Sequence, residues 1–341
     1  MKVAITGSGA YLPEGVVTNE DLGPRLGLDP DFIVKASGIR RRRWAAAGTP
    51  VSQLAAQALR LALDDESLAG EEIDYLIVGT MTPDRFIPGT AYAVQSDLGL
   101  SAIPCLDIRA ACCNALYALQ LAAALVRSGA ANRVAICLAE VQSAFLDISA
   151  AAGKLSMLFG DGASALIVSQ VESAAQRGAS HPIEIIDVLL GSDGAYCDDL
   201  GIRCPGSQFG GIDTHPVAEH RADYAPRMMG QSVILQASRR MVAACRTVLE
   251  RNQLAAGEVQ WVVPHQANAN LLAQVARGLG FADNDERVIS VLAETGNTSS
   301  ASIGIALDSL RRSGKIHSGD YLLLPAFAAG FTWGAALGRA L

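Results

Sequence analysis

The sequence predicts an α/β protein of two similar halves, each with a mainly parallel sheet covered by helices. Short apolar segments alternate along the chain with longer segments rich in Ala and Leu, which is typical of parallel strands joined by helices. Half of the residues are hydrophobic but only 5% are aromatic, so small side chains let the layers pack closely. A length of 341 residues is enough for two domains with a large core.

The first half alternates between predicted strands and predicted helices. Apolar runs predict strands at 3–9, 73–80, 105–108, 133–139 and 163–170. Helices are expected to begin near 18 and at 29–30, to run from a cap at 49–52 to about 63, and to span 91–98 and 113–127. Pro30 suits a first helical turn because its missing N–H would be unpaired there anyway.

The second half repeats this plan after a polar, Ala-rich connector at 172–181, which we take as the boundary between halves 1–171 and 182–341. Strands are expected at 183–190, 259–263, 287–290, 321–326 and 331–337, with helices at 232–250, 268–279 and 300–312. The segment 193–227 is rich in Gly, Asp, His and Arg. A loop this long in a compact domain is usually functional, so we expect it to cap an active-site entrance.

Charge and cysteine content exclude several classes of protein. The net charge is −7, which argues against a nucleic-acid partner because such a partner would require a basic face. The basic run Arg40–Arg43 is the exception and suits a solvated loop. Seven cysteines without a Cys-x-x-Cys pair argue against a disulfide framework or a zinc site.

The apolar segments also bear on cellular location. The N-terminal apolar run is too short for a signal peptide. No window approaches 18 consecutive apolar residues, so we expect no membrane span. The cytoplasm is therefore the expected compartment.

Cys112 is the candidate nucleophile. It follows the apolar segment 105–108 and precedes a segment of helical composition, so it should lie at a strand-to-helix junction. Unpaired N–H groups at a helix N-terminus favour a thiolate, which is the nucleophilic form of cysteine. The alternative is that Cys112 and Cys113 are small core residues, since free cysteines are commonly buried.

Two later stretches hold polar residues at similar junctions. His265 follows the apolar segment 259–263, and Asn297 lies in a small turn, 295–302, that leads into a predicted helix. Taken singly, such a His is more often a structural hydrogen-bonding residue, and a Gly-Asn pair is usually a turn. The order Cys, Pro-His-Gln-Ala-Asn and Gly-Asn-Thr-Ser is much more specific.

In this order the chain resembles the ketoacyl synthase III group of the thiolase-like condensing enzymes over nearly its whole length. The resemblance also rests on motifs at 7–14, 37–40, 159–163 and 330–334. It implies a thiolase-like five-layer α-β-α-β-α sandwich, with the nucleophilic Cys in the first half and the His and Asn in the second. It further implies a homodimer, expected to meet through 106–110 and 81–89.

The resemblance also implies the chemistry. Cys112 would take an acyl group from a thioester of coenzyme A or acyl carrier protein, and the backbone N–H groups of Cys112 and Ala329 would form the oxyanion hole. His265 and Asn297 would donate hydrogen bonds to a malonyl-type thioester while it loses CO₂. The product would be a 3-ketoacyl thioester, in fatty-acid or specialised secondary metabolism, and no bound cofactor or metal is implied.

The family places four residues of this chain around the pantetheine tunnel and the carrier docking surface. Phe32 stands where Trp is common, and Ala36, Leu235 and Asn270 stand where the family commonly has Arg, Lys and Arg. Three cations are therefore missing, and this mouth should bind coenzyme A phosphates or acyl carrier protein differently. Arg40 is retained, so the basic run is expected near the mouth.

Three further residues have expected roles. Ile87 stands where Phe is common in straight-chain enzymes, in a loop that reaches the acyl pocket of the dimer partner, so it should leave more room there. Arg109 and Asp107 share one side of a strand, which favours an ion pair, either internal or at an interface, over a substrate-carboxylate anchor. Cys113 is expected to be a packing residue.

Three other functions remain as alternatives. The Cys-bound acyl group could pass to a hydroxyl or amine, two acyl thioesters could join without decarboxylation, or the chain could be a non-catalytic partner subunit. Retention of Asn297 favours carbanion chemistry, because family members that only transfer acyl groups often lose that amide. Retention of Cys112 and His265 as well argues against a non-catalytic subunit.

Overall fold

The computed structural model describes residues 1–172, 181–209, 217 and 219–341. The first half contains, in chain order, β1 (Val3–Tyr11), β2 (Gly15–Thr18), α1 (Asn19–Leu26), α2 (Pro30–Ser37), β3 (Arg41–Trp44), α3 (Val51–Glu66), β4 (Tyr75–Gly79), α4 (Thr90–Leu98), β5 (Cys105–Ile108), α5 (Asn114–Ser128), β6 (Arg133–Glu140), α6 (Gly153–Ser156) and β7 (Gly162–Gln170).

The second half contains β8 (Ile183–Ser192), β9 (Leu200–Gly201), β10 (Arg227–Met228), α7 (Gly230–Arg251), β11 (Trp261–Val262), α8 (Ala269–Gly278), α9 (Leu292–Thr295), α10 (Ser302–Arg312), β12 (Tyr321–Ala328) and β13 (Thr332–Ala340). The predicted connector 172–181 lies almost wholly outside the described residues, as does part of the predicted loop 193–227.

Both halves have the same strand order. In the first half β4, β6, β7 and β1 are neighbours in that order, and in the second half β11, β12, β13 and β8 pair in the same order and directions, while β5 extends the first half by one strand. β1 pairs antiparallel with β8 and joins the halves into a nine-stranded sheet. The predicted similarity of the two halves is therefore confirmed.

The sheet is mixed, although the sequence suggested mainly parallel strands. β4 runs parallel to β5 and β6, whereas β7 runs antiparallel to both of its neighbours, β6 and β1. In the second half β12 and β13 are also antiparallel. A turn of three residues separates these two strands, and so short a connection can only join antiparallel neighbours.

Three hydrophobic cores define five layers. The central core holds α5 and α10 together with strand residues from both halves. A second core lies between α3 and the first-half strands, and a third lies between α7, α8 and the second-half strands. Helices therefore cover both faces of each half-sheet with a shared layer between them, and the expected thiolase-like α-β-α-β-α sandwich is confirmed.

Strand β6 shows why these strands are apolar on both faces. Val134, Ile136 and Leu138 belong to the central core, whereas Ala135 and Cys137 belong to the core under α3. Side chains alternate between the faces of a strand, so a strand between two helical layers needs apolar residues at every position. This produces the short apolar runs from which the strands were predicted.

The prediction of a solvated loop at Arg40–Arg43 holds for Arg40, which is exposed and precedes β3, but was wrong for the other three arginines. Residues 41–44 form β3, which pairs antiparallel with β2. Alternation places Arg42 inward, where it is wholly buried and donates to the Asn19 side chain and the Met157 carbonyl, both at 2.8 Å. Burial lowers the pKa of Arg42 to about 10.

Several predicted element ends also differ from the structure. Asp29 and Pro30 begin α2 as expected. Helix α3 lacks the local cap that was expected at 49–52. Its N-cap residue is Pro50, which makes no side-chain hydrogen bond to the helix. The Asp84 carboxylate accepts from the backbone N–H of Ser52 instead. The strand expected at 287–290 is reduced to one bridge between Val288 and Val262.

Among the described residues, one helical segment is long and apolar enough to cross a membrane. This segment, Ala111–Ser128, contains α5, and 50% of it is buried inside the protein. The buried part of α5 lies in the central core between the two half-sheets, which accounts for its apolar composition.

Candidate active site

The three residues predicted to be catalytic lie on one cavity. Cys112, His265 and Asn297 all line a cavity of about 390 Å³, together with Ala329 and Ser299. The described part of the predicted cap, including Ile202 and Pro205, forms another section of its wall. The fold therefore brings together groups that are far apart in the sequence.

Cys112 lies at the predicted strand-to-helix junction. It belongs to a short 3-10 turn, Ala111–Cys113, between β5 and α5. Ala111 adopts a positive φ of 48°, which is rare for a residue with a side chain and is often found at functional sites. The Cys112 Sγ lies 3.4 Å from Ser299 Oγ.

Cys113 faces away from this cavity. Its thiol is buried in the central core, where Sγ contacts the Thr332 carbonyl oxygen at 3.4 Å. Two adjacent cysteines therefore have different environments, with one at the cavity and one in the core. The location of Cys113 agrees with its expected packing role.

The electrostatic state of Cys112 differs from the prediction. The pKa of the Cys112 thiol is raised to about 12, mainly by burial and to a smaller extent by the charge of Glu140, while the hydrogen bond with Ser299 lowers it. This balance favours the thiol over the thiolate that the sequence predicted.

His265 is uncharged in the resting site. Burial lowers its pKa to about 4, so the imidazole is neutral at physiological pH. Its Nδ1 lies 2.7 Å from Ser302 Oγ, and the same hydroxyl accepts from Gln266 N at 3.2 Å. Because His265 also lines the cavity, its other nitrogen, Nε2, remains for substrate.

Asn297 is held as a hydrogen-bond donor toward the cavity. Its side-chain oxygen Oδ1 accepts from Ser299 N at 2.8 Å, so the amide nitrogen Nδ2 remains for another partner. Its backbone N–H donates to the Leu158 carbonyl at 2.8 Å, and its carbonyl accepts from Gly160 N. These bonds fix both the backbone and the side chain of Asn297.

Ser299, Ser302 and Glu140 were not predicted as site residues. Ser299 adopts a positive φ of 50°, contacts Cys112 Sγ and fixes Asn297, while Ser302 orients His265. From the sequence, the Ser-rich stretch 298–302 indicated only a resemblance to the family motif. Its length and richness in hydroxyl groups were the available signal.

The four predicted binding residues lie outside this cavity's wall. Phe32 on α2 is 41% exposed and Ile87 is 78% exposed, and Arg40 is exposed next to β3. Asn270 lies in the first turn of α8, where its side chain donates to the Ala36 carbonyl at 3.0 Å. Their roles toward substrate and carrier stay predictions.

Among the described residues, Arg109 and Asp107 form no internal ion pair, and an ion pair at an interface stays a prediction. The Asp107 carboxylate instead accepts from the backbone N–H groups of Thr90 and Ala91 at 2.6 and 2.7 Å. These are the first N–H groups of α4, which a carboxylate stabilises. Arg109 is exposed and lines the catalytic cavity.

The site and fold together define a class of protein. A cysteine at a strand-to-helix junction shares a cavity with a neutral His and an oriented Asn amide, in a five-layer sandwich of two similar halves. Among the described residues, no group of three or more His, Cys, Asp or Glu side chains is placed to hold a metal ion. The fold and the shared cavity are those expected of a thiolase-like enzyme.

Comparison with known proteins identifies the family. Residues 106–194 match the model for 3-oxoacyl-[acyl-carrier-protein] synthase III, and 249–340 match the model for its C-terminal part. A β-ketoacyl-[acyl-carrier-protein] synthase III from Methylococcus capsulatus is 38% identical over 335 residues, covering 98% of each chain. The corresponding protein of Chlamydia caviae is 36% identical over 338 residues, covering 99% of this chain and 97% of the relative.

Solved structures agree with this result. The 3-oxoacyl-[acyl-carrier-protein] synthase III of Aquifex aeolicus superposes with a TM-score of 0.87 at 33% identity, covering 99% of both chains. A priming β-ketosynthase of a polyketide biosynthetic pathway superposes with a TM-score of 0.86 at 30% identity, covering 99% of this chain and 96% of that one.

The chain belongs to the β-ketoacyl-[acyl-carrier-protein] synthase III family. It is a condensing acyltransferase of the decarboxylating type that operates in fatty-acid or polyketide pathways. The family, the fold and the reaction class predicted from the sequence are confirmed.

Proposed function

We propose that this chain loads an acyl group onto Cys112 and condenses it with a malonyl-type thioester, releasing CO₂ and a 3-ketoacyl thioester. The substrates are thioesters of coenzyme A or acyl carrier protein. One observation carries the assignment of residues: a thiol, a neutral imidazole and an oriented amide donor line the same cavity.

In the first step, Cys112 attacks the carbonyl carbon of the acyl thioester. The neutral His265 accepts the thiol proton at Nε2, and the backbone N–H groups of Cys112 and Ala329 stabilise the oxyanion. The bond from the acyl carbon to the carrier sulfur then breaks. The carrier leaves as a thiol with the proton from His265, and a Cys112 thioester remains.

Ser302 lets His265 serve both steps. Its hydroxyl oxygen accepts from the imidazole when Nδ1 carries the proton, which leaves Nε2 as a base. When the hydroxyl rotates and donates to Nδ1, Nε2 carries a proton and becomes a donor. The contact to Gln266 N uses a lone pair of Ser302 and is compatible with either state.

In the second step, His265 Nε2 and Asn297 Nδ2 donate to the carbonyl of the malonyl-type thioester. The bond between the α-carbon and the carboxylate breaks, CO₂ leaves, and the electron pair forms an enolate held by both donors. The α-carbon then attacks the acyl carbon on Cys112. The carbon–sulfur bond breaks, the 3-ketoacyl thioester leaves, and the Cys112 sulfur departs as a thiolate that takes a proton from water to restore the thiol. Asn suits this role because its amide donates without titrating.

The carrier arm enters between α7 and α8. A groove at this position is lined by Ala36 and Asn270 and shares Ile234, Asn268 and Leu271 with the catalytic cavity. The Asn270 amide is bound to the Ala36 carbonyl and adds no charge. Arg277 also lines this groove, so one cation is available to a carrier phosphate there.

A second copy of the chain is the expected partner at β5. This strand is the edge of the nine-stranded sheet, and an unpaired edge is a template for another strand. The neighbouring loop exposes Phe86 and Ile87, at 79% and 78%, which is unusual for large apolar side chains. Both features support a homodimer through strand 106–110 and loop 81–89.

Intact-protein mass spectrometry tests the first step. Incubation with a panel of acyl thioesters should add one acyl mass to the wild type, and subsequent malonyl thioester should remove it. Cys112→Ala should remain unlabelled, whereas the matched control Cys113→Ala should be labelled, because only Cys112 lines the cavity. Peptide mapping that places the acyl group on Cys113 would contradict the assignment, as would release by a hydroxyl or amine alone.

A further inference from the structure

Glu140 is a buried carboxylate close to the catalytic cysteine. It is the last residue of β6 and has no exposed surface. Among the residues that the structure describes, no cation forms an ion pair with it. Removing a carboxylate from water without a counter-ion is costly, so stability alone does not explain its presence.

The carboxylate is held by hydrogen bonds from two directions. Ser300 Oγ donates to Oε1 at 2.6 Å. Thr82 Oγ1 and the Met81 backbone N–H donate to Oε2 at 3.1 and 3.2 Å, and Gln142 Nε2 adds a further bond at 3.2 Å. Glu140 thus connects the turn after Asn297 to the start of the loop after β4.

Both connected segments belong to the catalytic cavity. Ser300 follows Ser299, which contacts Cys112 Sγ at 3.4 Å and holds Asn297. Met81 lines the cavity itself. The Glu140 carboxylate therefore lies behind the surface that carries the nucleophile and its amide donor, and it touches neither of them.

The charge of Glu140 also reaches the nucleophile. Burial raises the pKa of Glu140 to about 7, against the hydrogen bonds from Ser300, Met81 and Thr82, and the charged form raises the pKa of Cys112. Burial is the leading cause of the pKa shifts at Cys113, Cys137, Asp161 and His265. The elements packed against β6 also carry Tyr75 on β4, Tyr117 and Arg127 on α5, and Arg60 and Asp64 on α3, and β6 itself begins with Arg133. On α3, Asp65 pairs with Arg311, and Glu66 accepts from Thr6.

We propose that Glu140 is a positioning residue whose hydrogen bonds hold the 297–300 turn and the Met81 loop around Cys112, and whose charge state sets how readily Cys112 loses its proton. The inference rests on the proposed role of Cys112 as nucleophile. Below neutral pH the protonated carboxyl leaves the thiol unaffected by charge. Above neutral pH the carboxylate repels the thiolate and keeps the free enzyme as a thiol.

Alkylation of Cys112 by iodoacetamide tests this proposal without any thioester. The rate follows the thiolate fraction, which changes tenfold for each unit of thiol pKa when the pH is far below that pKa. Glu140→Gln keeps the shape and removes the charge. Relative to wild type, the variant should react at about the same rate below pH 6 and about threefold to tenfold faster above pH 8.

Asp161→Asn is the matched control, because Asp161 is another wholly buried carboxylate that is held by Ser143 and the Ala45 backbone. It should leave the alkylation profile of Cys112 unchanged. A ratio of Glu140→Gln to wild type that is the same at every pH would overturn the proposal, since loss of packing alone gives that result.

The wild type provides a second test if Glu140→Gln does not fold. Its logarithmic alkylation rate should rise with a slope of one below pH 6 and above pH 8, with a shallower segment between them where Glu140 ionises. A constant slope of one through this range would contradict the proposal. Because alkylation needs no acyl transfer, this result is independent of whether the condensation assignment succeeds.

Discussion

Replacing His265 with Asn should make the free energy of unfolding less sensitive to acid. Burial lowers the pKa of His265 from 6.5 to about 4, so the folded protein keeps a neutral imidazole where the unfolded chain already binds a proton. When the pKa of a group is lower in the folded protein than in the unfolded chain, the free energy of unfolding decreases as the pH falls. The loss begins near 6.5 and is complete near 4, which is the interval between the two pKa values.

The size of the effect follows from this shift. A change from 6.5 to about 4 corresponds to about 3 kcal/mol in unfolding free energy, at about 1.4 kcal/mol for each pH unit. Wild type should therefore lose about 3 kcal/mol more than His265→Asn between pH 7.5 and pH 4. The other groups titrate in both proteins. The difference in unfolding free energy between wild type and His265→Asn therefore reports on His265 alone.

Urea unfolding at a series of pH values measures this difference directly. The exposed His317, replaced by Asn in the same way, is the matched control for losing an imidazole. A difference between wild type and His265→Asn that stays constant with pH would refute the reasoning, because it would mean that His265 protonates equally in both states.

Two further predictions concern assembly and the buried arginine. Analytical ultracentrifugation at micromolar concentration should give a dimer, because β5 and the loop at Phe86 and Ile87 leave an unpaired edge and an apolar surface; a monomer would contradict this. Arg42→Ala should lower the unfolding free energy by about 3–5 kcal/mol in urea, because it leaves a cavity and removes the bonds to Asn19 and Met157. A loss below about 1 kcal/mol would show that Arg42 is replaceable.

The sequence predicted those features that depend on neighbouring residues. Apolar runs marked the strands because strands between two helical layers are apolar on both faces. The position of Cys112 between a strand and a helix followed from composition on either side of it. Asp29 followed directly by Pro30 marked the start of α2, and this signal also depends only on adjacent residues.

Features that depend on distant residues could not be predicted in this way. Arg42 is buried because Asn19 and the Met157 carbonyl receive its guanidinium, and nothing in a run of four arginines indicates which one turns inward. Glu140, in the first half, accepts a hydrogen bond from Ser300, in the second half. The raised pKa of the Cys112 thiol likewise reflects burial by residues from the whole fold.

The role of Asn297 in decarboxylation is the central claim, and one paired measurement tests it. CO₂ release and 3-ketoacyl thioester formation are followed together for wild type and Asn297→Ala, with an acyl thioester and malonyl thioester supplied. Wild type should release one CO₂ for each product. Asn297→Ala should still acylate Cys112 but lose about 10²–10³ in the rate of both signals, the usual cost of one oxyanion donor. Wild-type turnover without CO₂, or an Asn297→Ala variant with an unchanged rate, would contradict the account.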